Sequence, residues 1–161
     1  MTAAPDIEFL RQAISLARLA RERGGDPFGT VLAVDGVLAH QAYDRSFELS
    51  DPTFHPELAA ISEHCRAAGR LSLAGYTLYS SAEPCSMCAG AIHWARISRV
   101  VFSVSQAMLQ GLTGGRPKAS AAAVLNSGRQ RVEIVGPLLP EEGLSVFDGY
   151  RFVPKAERAR H

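Results

Sequence analysis

A chain of 161 residues, 47% hydrophobic and 20% charged, is long enough to bury about two-thirds of its unfolded surface around a core, so one domain spanning residues 1–161 is expected. Seventeen Lys and Arg nearly cancel sixteen Asp and Glu, leaving a net charge of +1; this excludes a strong field for gathering nucleic acid or anionic lipid. The N-terminus lacks the cationic start and apolar run of a signal peptide, and no segment reaches the roughly 20 apolar residues of a bilayer span, so a cytoplasmic protein is expected.

From Asp6 to Arg23, Ile7, Leu10, Ile14, Ala17 and Ala20 recur at spacings of three and four, the pattern of an amphipathic helix that Gly24 and Gly25 end. TVLAV and VLAHQA flank Asp35-Gly36, a strong hairpin signal. Ser50, Asp51 and Thr53 offer caps for a helix from about His55 to Ala68, closed by Gly69. YTLYSS reads as a buried strand, Pro84 opens a small-residue helix through CSMCAGAIHWA, and RVVFSV is a further strand. From Ser105 to Arg129 the pattern weakens into a long glycine-marked loop, with a short helix at Ala121 to Leu125. RVEIVG predicts a last strand, PEEGLSVFDGYRF a last helix, and the basic tail KAERARH a frayed or partner-bound end. The sum is an α/β fold, a three-layer α/β/α sandwich on a five-stranded mixed sheet.

Three cysteines do not form a disulfide framework; the C-x-x-C pair Cys85 and Cys88 points to metal or redox chemistry. With His55-Pro56-Glu57 upstream of Pro84-Cys85-Ser86-Met87-Cys88, the chain resembles the zinc deaminases, whose signature is H-x-E followed by P-C-x-x-C. That resemblance implies Zn2+ held by His55, Cys85 and Cys88, with Glu57 as proton carrier. Helical spacing agrees with it. Cys85 and Cys88, at i and i+3 in the first turn after Pro84, project from one face towards free N–H groups that stabilise thiolates. Three protein ligands leave a tetrahedral zinc one position for water, as catalytic sites do. His55 and Glu57, two apart, can reach one site only if His55 sits in the non-helical cap. Cys65 and His64 lie about 15 Å along their helix from the site, and His93 faces another side of its own, so all three read as ordinary packing or surface residues.

DPTFHPELAAI and EPCSMCAGAIHWARISRVVF narrow the likeness to the cytidine deaminase-like superfamily, in the branch of guanine, cytosine and tRNA adenosine deaminases. The resemblance implies a nucleobase-like or related heterocyclic substrate, with ammonia released and a carbonyl left. It also implies a homodimer through the sheet-flanking helices. GGDPFG is similar to the guanine deaminases, where the phenylalanine shapes the base pocket; that role falls on Phe28, and Trp94 and Glu83 join the candidate substrate contacts. Asp44 stands where the family usually has an asparagine. An ionised carboxylate only accepts hydrogen bonds, so the preferred ring should present N–H groups there. Phe54 is a candidate for stacking on the base. Pro56, in place of alanine, should leave the metal site unaffected. A tRNA substrate is the alternative. Arg96, Arg99, Arg116, Lys118, Lys155, Arg158 and Arg160 would serve it, although such groups usually form solvated faces. A non-catalytic zinc scaffold is the third reading, opposed by Glu57 and by the lack of a fourth ligand.

Overall fold

A computed structural model describes residues 3–115 and 118–158; Arg116 and Arg160 lie outside them. Helix α1 (Ala4–Glu22) leads into strands β1 (Gly29–Val34) and β2 (Val37–Tyr43). Asp35 and Gly36, with φ of 52° and 73°, form the tight turn that a D-G pair favours. Helix α2 (Pro56–Ala68), strand β3 (Thr77–Ala82), helix α3 (Ser86–Trp94) and strand β4 (Arg99–Val104) follow. The chain then forms helices α4 (Gln106–Thr113) and α5 (Ala121–Leu125), strand β5 (Glu133–Val135) and helix α6 (Pro140–Leu144).

The sheet order is β2-β1-β3-β4-β5, with β1 antiparallel to both β2 and β3, and β3, β4 and β5 parallel. Alternation along the strands divides the core in two. Val31, Tyr79 and Val101 pack with Leu10, Ala13 and Ile14 of α1 on one face. Leu32, Leu78 and Val100 pack with Ala60 of α2, Ala89 and Ile92 of α3 and Leu125 of α5 on the other. Both faces are covered, giving the expected three-layer arrangement on a mixed five-stranded sheet. No described helix is long and apolar enough to cross a membrane.

Four local expectations are corrected. His55 itself is the N-cap of α2, with extended backbone, while Asp51 accepts hydrogen bonds from the amide and hydroxyl of Thr53 in the preceding turn. Part of the expected glycine-marked loop is helix α4, opened by Ser105 accepting from the Met108 amide and closed by Gly114 at φ 64°. The last helix covers only Pro140–Leu144, then tightens into a 3-10 turn over Ser145–Phe147 before an irregular segment. The described part of the tail is tied down: Arg158 Nη2 donates to Asp26 Oδ1 at 2.6 Å.

Candidate active site

The parallel β3-α3-β4 unit and the preceding α2 aim two helix starts at the same place. His55, the N-cap of α2, has φ −71° and ψ 150°; Cys85 is the N-cap of α3, and Cys88 lies three residues on, in its first turn. Pro56 and Pro84 suit these starts, since neither position needs a backbone N–H. His55 Nδ1 lies 3.6 Å from Cys85 Sγ and 3.7 Å from Cys88 Sγ, and the three ligand atoms lie within 4.8 Å of one another. A tetrahedral zinc with bonds of about 2.3 Å to sulfur and 2.0–2.1 Å to nitrogen would hold N and S donors about 3.6 Å apart. Donor identity and spacing both fit Zn2+.

The charges suit a cation. Hydrogen bonds, first from Cys88 and then from His55, bring the Cys85 thiol down to about 3, despite burial. Cys88, as donor to that thiolate and buried, is held above the ordinary thiol range. His55 is raised, chiefly by its hydrogen bond with Cys85. A doubly charged ion would meet one thiolate already present and draw off the second proton.

Because His55 is extended, Glu57 at the second helical position turns towards the same cavity as the imidazole. Glu57 is buried, its Oε1 accepts from Ser80 Oγ at 3.0 Å, and burial above all raises its pKa. A carboxyl group so placed holds a proton more readily than an exposed one, as a proton carrier requires.

The cavity, 230 Å³ in volume, is lined by His55, Glu57 and Cys85, and also by Phe28, Asp44 and Glu83. Asp44 is buried just past β2, where its amide donates to Phe28 O and its Oδ1 accepts from the amide and hydroxyl of Ser46. Burial leads the causes that raise its pKa. Oδ2 accepts no hydrogen bond from the described residues.

Glu83 borders the cavity, yet its oxygens are engaged elsewhere. Oε2 accepts from the Gln106 amide at 2.8 Å and Oε1 from the Ala121 amide at 2.7 Å, so one carboxylate satisfies the first residues of both α4 and α5. Its geometry is that of a brace between the metal-ligand loop and the cavity roof.

Two expected contacts lie elsewhere. Phe54 does not line the cavity; it is half-buried beneath the Arg45 guanidinium, 5.8 Å from the ring centroid. Successive residues of extended backbone point opposite ways, so turning His55 inward turns Phe54 away. Trp94 is 82% exposed and also absent from the cavity wall. Six residues beyond Cys88, it is carried about 9 Å along the helix axis.

Of the other residues set aside, His64 bonds the Tyr76 hydroxyl, His93 packs against Trp94, and Cys65 packs half-buried against the α2–α3 core. Arg99 is no solvated charge, being paired with buried Asp6. Sequence reasoning missed Asp26 and Phe152 and named Lys155 only for a nucleic-acid partner, while Leu109 and Gln110 fall in the segment read as a loop; all five stand on the cavity wall. The available signals were the Ser105 cap with Met108, Leu109 and Leu112 at helical spacing, and the aromatic run Phe147, Tyr150 and Phe152.

This fold and donor set define a zinc-dependent deaminase, a hydrolase acting on carbon–nitrogen bonds. The chain belongs to the cytidine and deoxycytidylate deaminase zinc-binding family, whose model matches residues 4–104. It is 31% identical over 150 residues to a probable cytosine deaminase of Schizosaccharomyces pombe, covering 90% of this chain and 91% of that one. It is 40% identical over 96 residues to a guanine deaminase of Bacillus subtilis, covering 59% of this chain and 62% of that protein. A structure solved in a study of A-to-I editing by tRNA:A34 deaminases superposes with a TM-score of 0.75 at 32% identity, covering 87% of this chain and 99% of the other.

Proposed function

We propose that this chain deaminates a free amino-substituted nucleobase or a related heterocycle, of guanine, cytosine or triazine type, to the oxo product with release of ammonia. The size and walls of the site carry this reading: the cavity beside His55, Cys85 and Glu57 is walled by Phe28 and by Phe152 and Lys155 of the C-terminal segment. Its 230 Å³ suits one planar ring better than a nucleotide held in a nucleic-acid chain.

His55, Cys85 and Cys88 would hold zinc, which when bound would supply the Lewis acidity that makes a water nucleophilic enough to attack the amino-bearing ring carbon. Glu57 is placed to accept a proton from the attacking water and deliver it to a ring nitrogen, and then to take the remaining hydroxyl proton of the tetrahedral adduct and deliver it to the amine as the carbon–nitrogen bond breaks. The Ser80 hydroxyl orients its Oε1. Asp44 Oδ2 accepts from a ring or exocyclic N–H and sets which edge of the base faces the metal. Phe28 supplies an apolar flank for the ring.

A tRNA adenosine substrate is the second reading, favoured by the A34 deaminase structure and by a basic groove beside the cavity that contains Arg23 and Arg45. A homodimer through the sheet-flanking helices belongs to both readings. Trp94 at 82% exposure and Leu71 at 90% give it apolar contacts, and light scattering checks it. The deciding experiment is an ammonia-release screen over guanine, cytosine, isocytosine, adenine, an aminotriazine, their nucleosides and a tRNA anticodon stem-loop. Turnover of at least one free heterocycle is expected; turnover of the stem-loop alone would reject the first reading.

A further inference from the structure

The segment Tyr150 to Arg158 leaves the aromatic cluster of Phe28, Phe147 and Phe152 and passes along the cavity wall, and one carboxylate holds both its ends. Asp26 Oδ1 accepts from the Tyr150 hydroxyl at 2.5 Å and from Arg158 Nη2 at 2.6 Å. The Arg158 guanidinium also lies over the Phe47 ring, 3.4 Å from its centroid, and its Nε donates to Val153 O. The two side chains of the Asp26–Arg158 pair are 14% and 13% exposed, so this ion pair is largely withdrawn from solvent, unlike one between surface side chains. Phe152 and Lys155, between the anchored ends, face the catalytic cavity.

A second concavity adjoins the first. This groove of 610 Å³ is lined by Arg23, Tyr43, Arg45, Phe47, Lys155 and Arg158 among others, and it shares Asp44 and Lys155 with the catalytic cavity. The segment that pairs with Asp26 therefore stands between a small cavity and a larger one rich in cations and aromatic rings. Where the segment lies decides whether the substrate ends at the ring or continues beyond it.

We propose that the Asp26–Arg158 pair is a specificity-determining latch: closed, it confines the catalytic cavity to a free heterocycle; opened, it joins cavity and groove and admits a ring that carries a sugar. This rests on the reading of the site as one for free bases. Neither residue takes part in bond making or breaking; both act by positioning the segment that carries Phe152 and Lys155.

The test compares kcat/KM for a free base with that for its nucleoside, using the best free base from the screen, in the parent, Arg158→Ala and Asp26→Asn. Zinc content and thermal midpoint are measured alongside. The base-to-nucleoside ratio should fall about tenfold or more in both variants, with KM for the base raised and zinc retained. A merely structural loss would lower both activities together and leave the ratio alone; an unchanged ratio in two zinc-loaded variants overturns the latch. If the parent deaminates no free heterocycle but converts a tRNA anticodon stem-loop, the free-base reading fails. The latch then predicts faster stem-loop turnover by Arg158→Ala, and an unchanged rate overturns it as well.

Discussion

Tyr79 and Ser80 are neighbours on β3 facing opposite sides of the sheet, and each meets a buried carboxylate. On the α1 side, Asp6 accepts from the Tyr79 hydroxyl, from Arg99 Nη1 and Nη2, and from the Ala3 amide. On the α2 side, Glu57 accepts from the Ser80 hydroxyl beside the three metal ligands. Burial pushes Asp6 up, yet the hydrogen bonds from Arg99, Ala3 and Tyr79 outweigh it and hold its carboxyl below the ordinary range. For Glu57 burial prevails. Two carboxylates on adjacent register positions thus have opposite tendencies: one is fixed as an anion that ties α1 to the sheet, the other is free to take up and release a proton. Two things separate them: Asp6 meets the Arg99 guanidinium and two further donors where Glu57 meets one hydroxyl, and Glu57 lies deeper in the protein although both are shielded from solvent.

The strongest way to break the comparison is to empty the catalytic side. Cys85→Ala should lose the zinc and all measurable deamination, together with some thermal stability, because bound metal contributes folding free energy. Elemental analysis and a melting curve check it, and full zinc retention would refute the ligand assignment. Next in size, Glu57→Gln should keep zinc and fold but lose at least about 10²-fold in kcat, since an amide cannot shuttle protons. Parent-like turnover by this variant would remove Glu57 from the mechanism.

Asp44→Asn should shift preference between heterocycles by about ten- to a hundredfold, because a mispaired buried polar contact costs roughly 1 to 3 kcal/mol. Asp44→Ala should weaken turnover of the true substrate, with zinc unchanged in both. Identical substrate profiles for the two variants and the parent would show that Asp44 makes no contact with the ring.

The smallest effect on turnover belongs to the structural side. Asp6→Asn should cost about 1 to 3 kcal/mol of stability at neutral pH, with activity per folded molecule little altered. The sign of its pH dependence follows from the depressed carboxyl. The contribution is present above the unfolded value of about 3.9 and is lost as pH falls through the lower folded value, so the melting curves of parent and variant should converge in acid. A stability gap that stayed constant down to the acid transition would mean that the Asp6 charge contributes nothing.

Spacing in the sequence was enough to place His55 and Cys85 at two helix starts and Cys88 one turn on, because a cap and the first helical turn are local geometry. The hairpin at Asp35-Gly36 and the buried strands were legible for the same reason, resting on turn conformation and short apolar runs. Distant pairings were not legible. That Glu83 braces α4 and α5 depends on two amides 23 and 38 residues downstream. That Arg158 reaches Asp26 across 132 residues depends on where the last segment packs against the Phe28 cluster. Phe54 and Trp94 show the limit from the other direction. Comparison with the family suggested substrate contact for both, yet in this chain an extended residue and six residues of helix turn them away from the cavity. The motif resemblance, with which local helix spacing agreed, pointed to the atoms placed to hold a metal; only the packing of α4 and the C-terminal segment decided what shape of molecule can reach them, because cavity walls are built from residues whose separation no periodic pattern records.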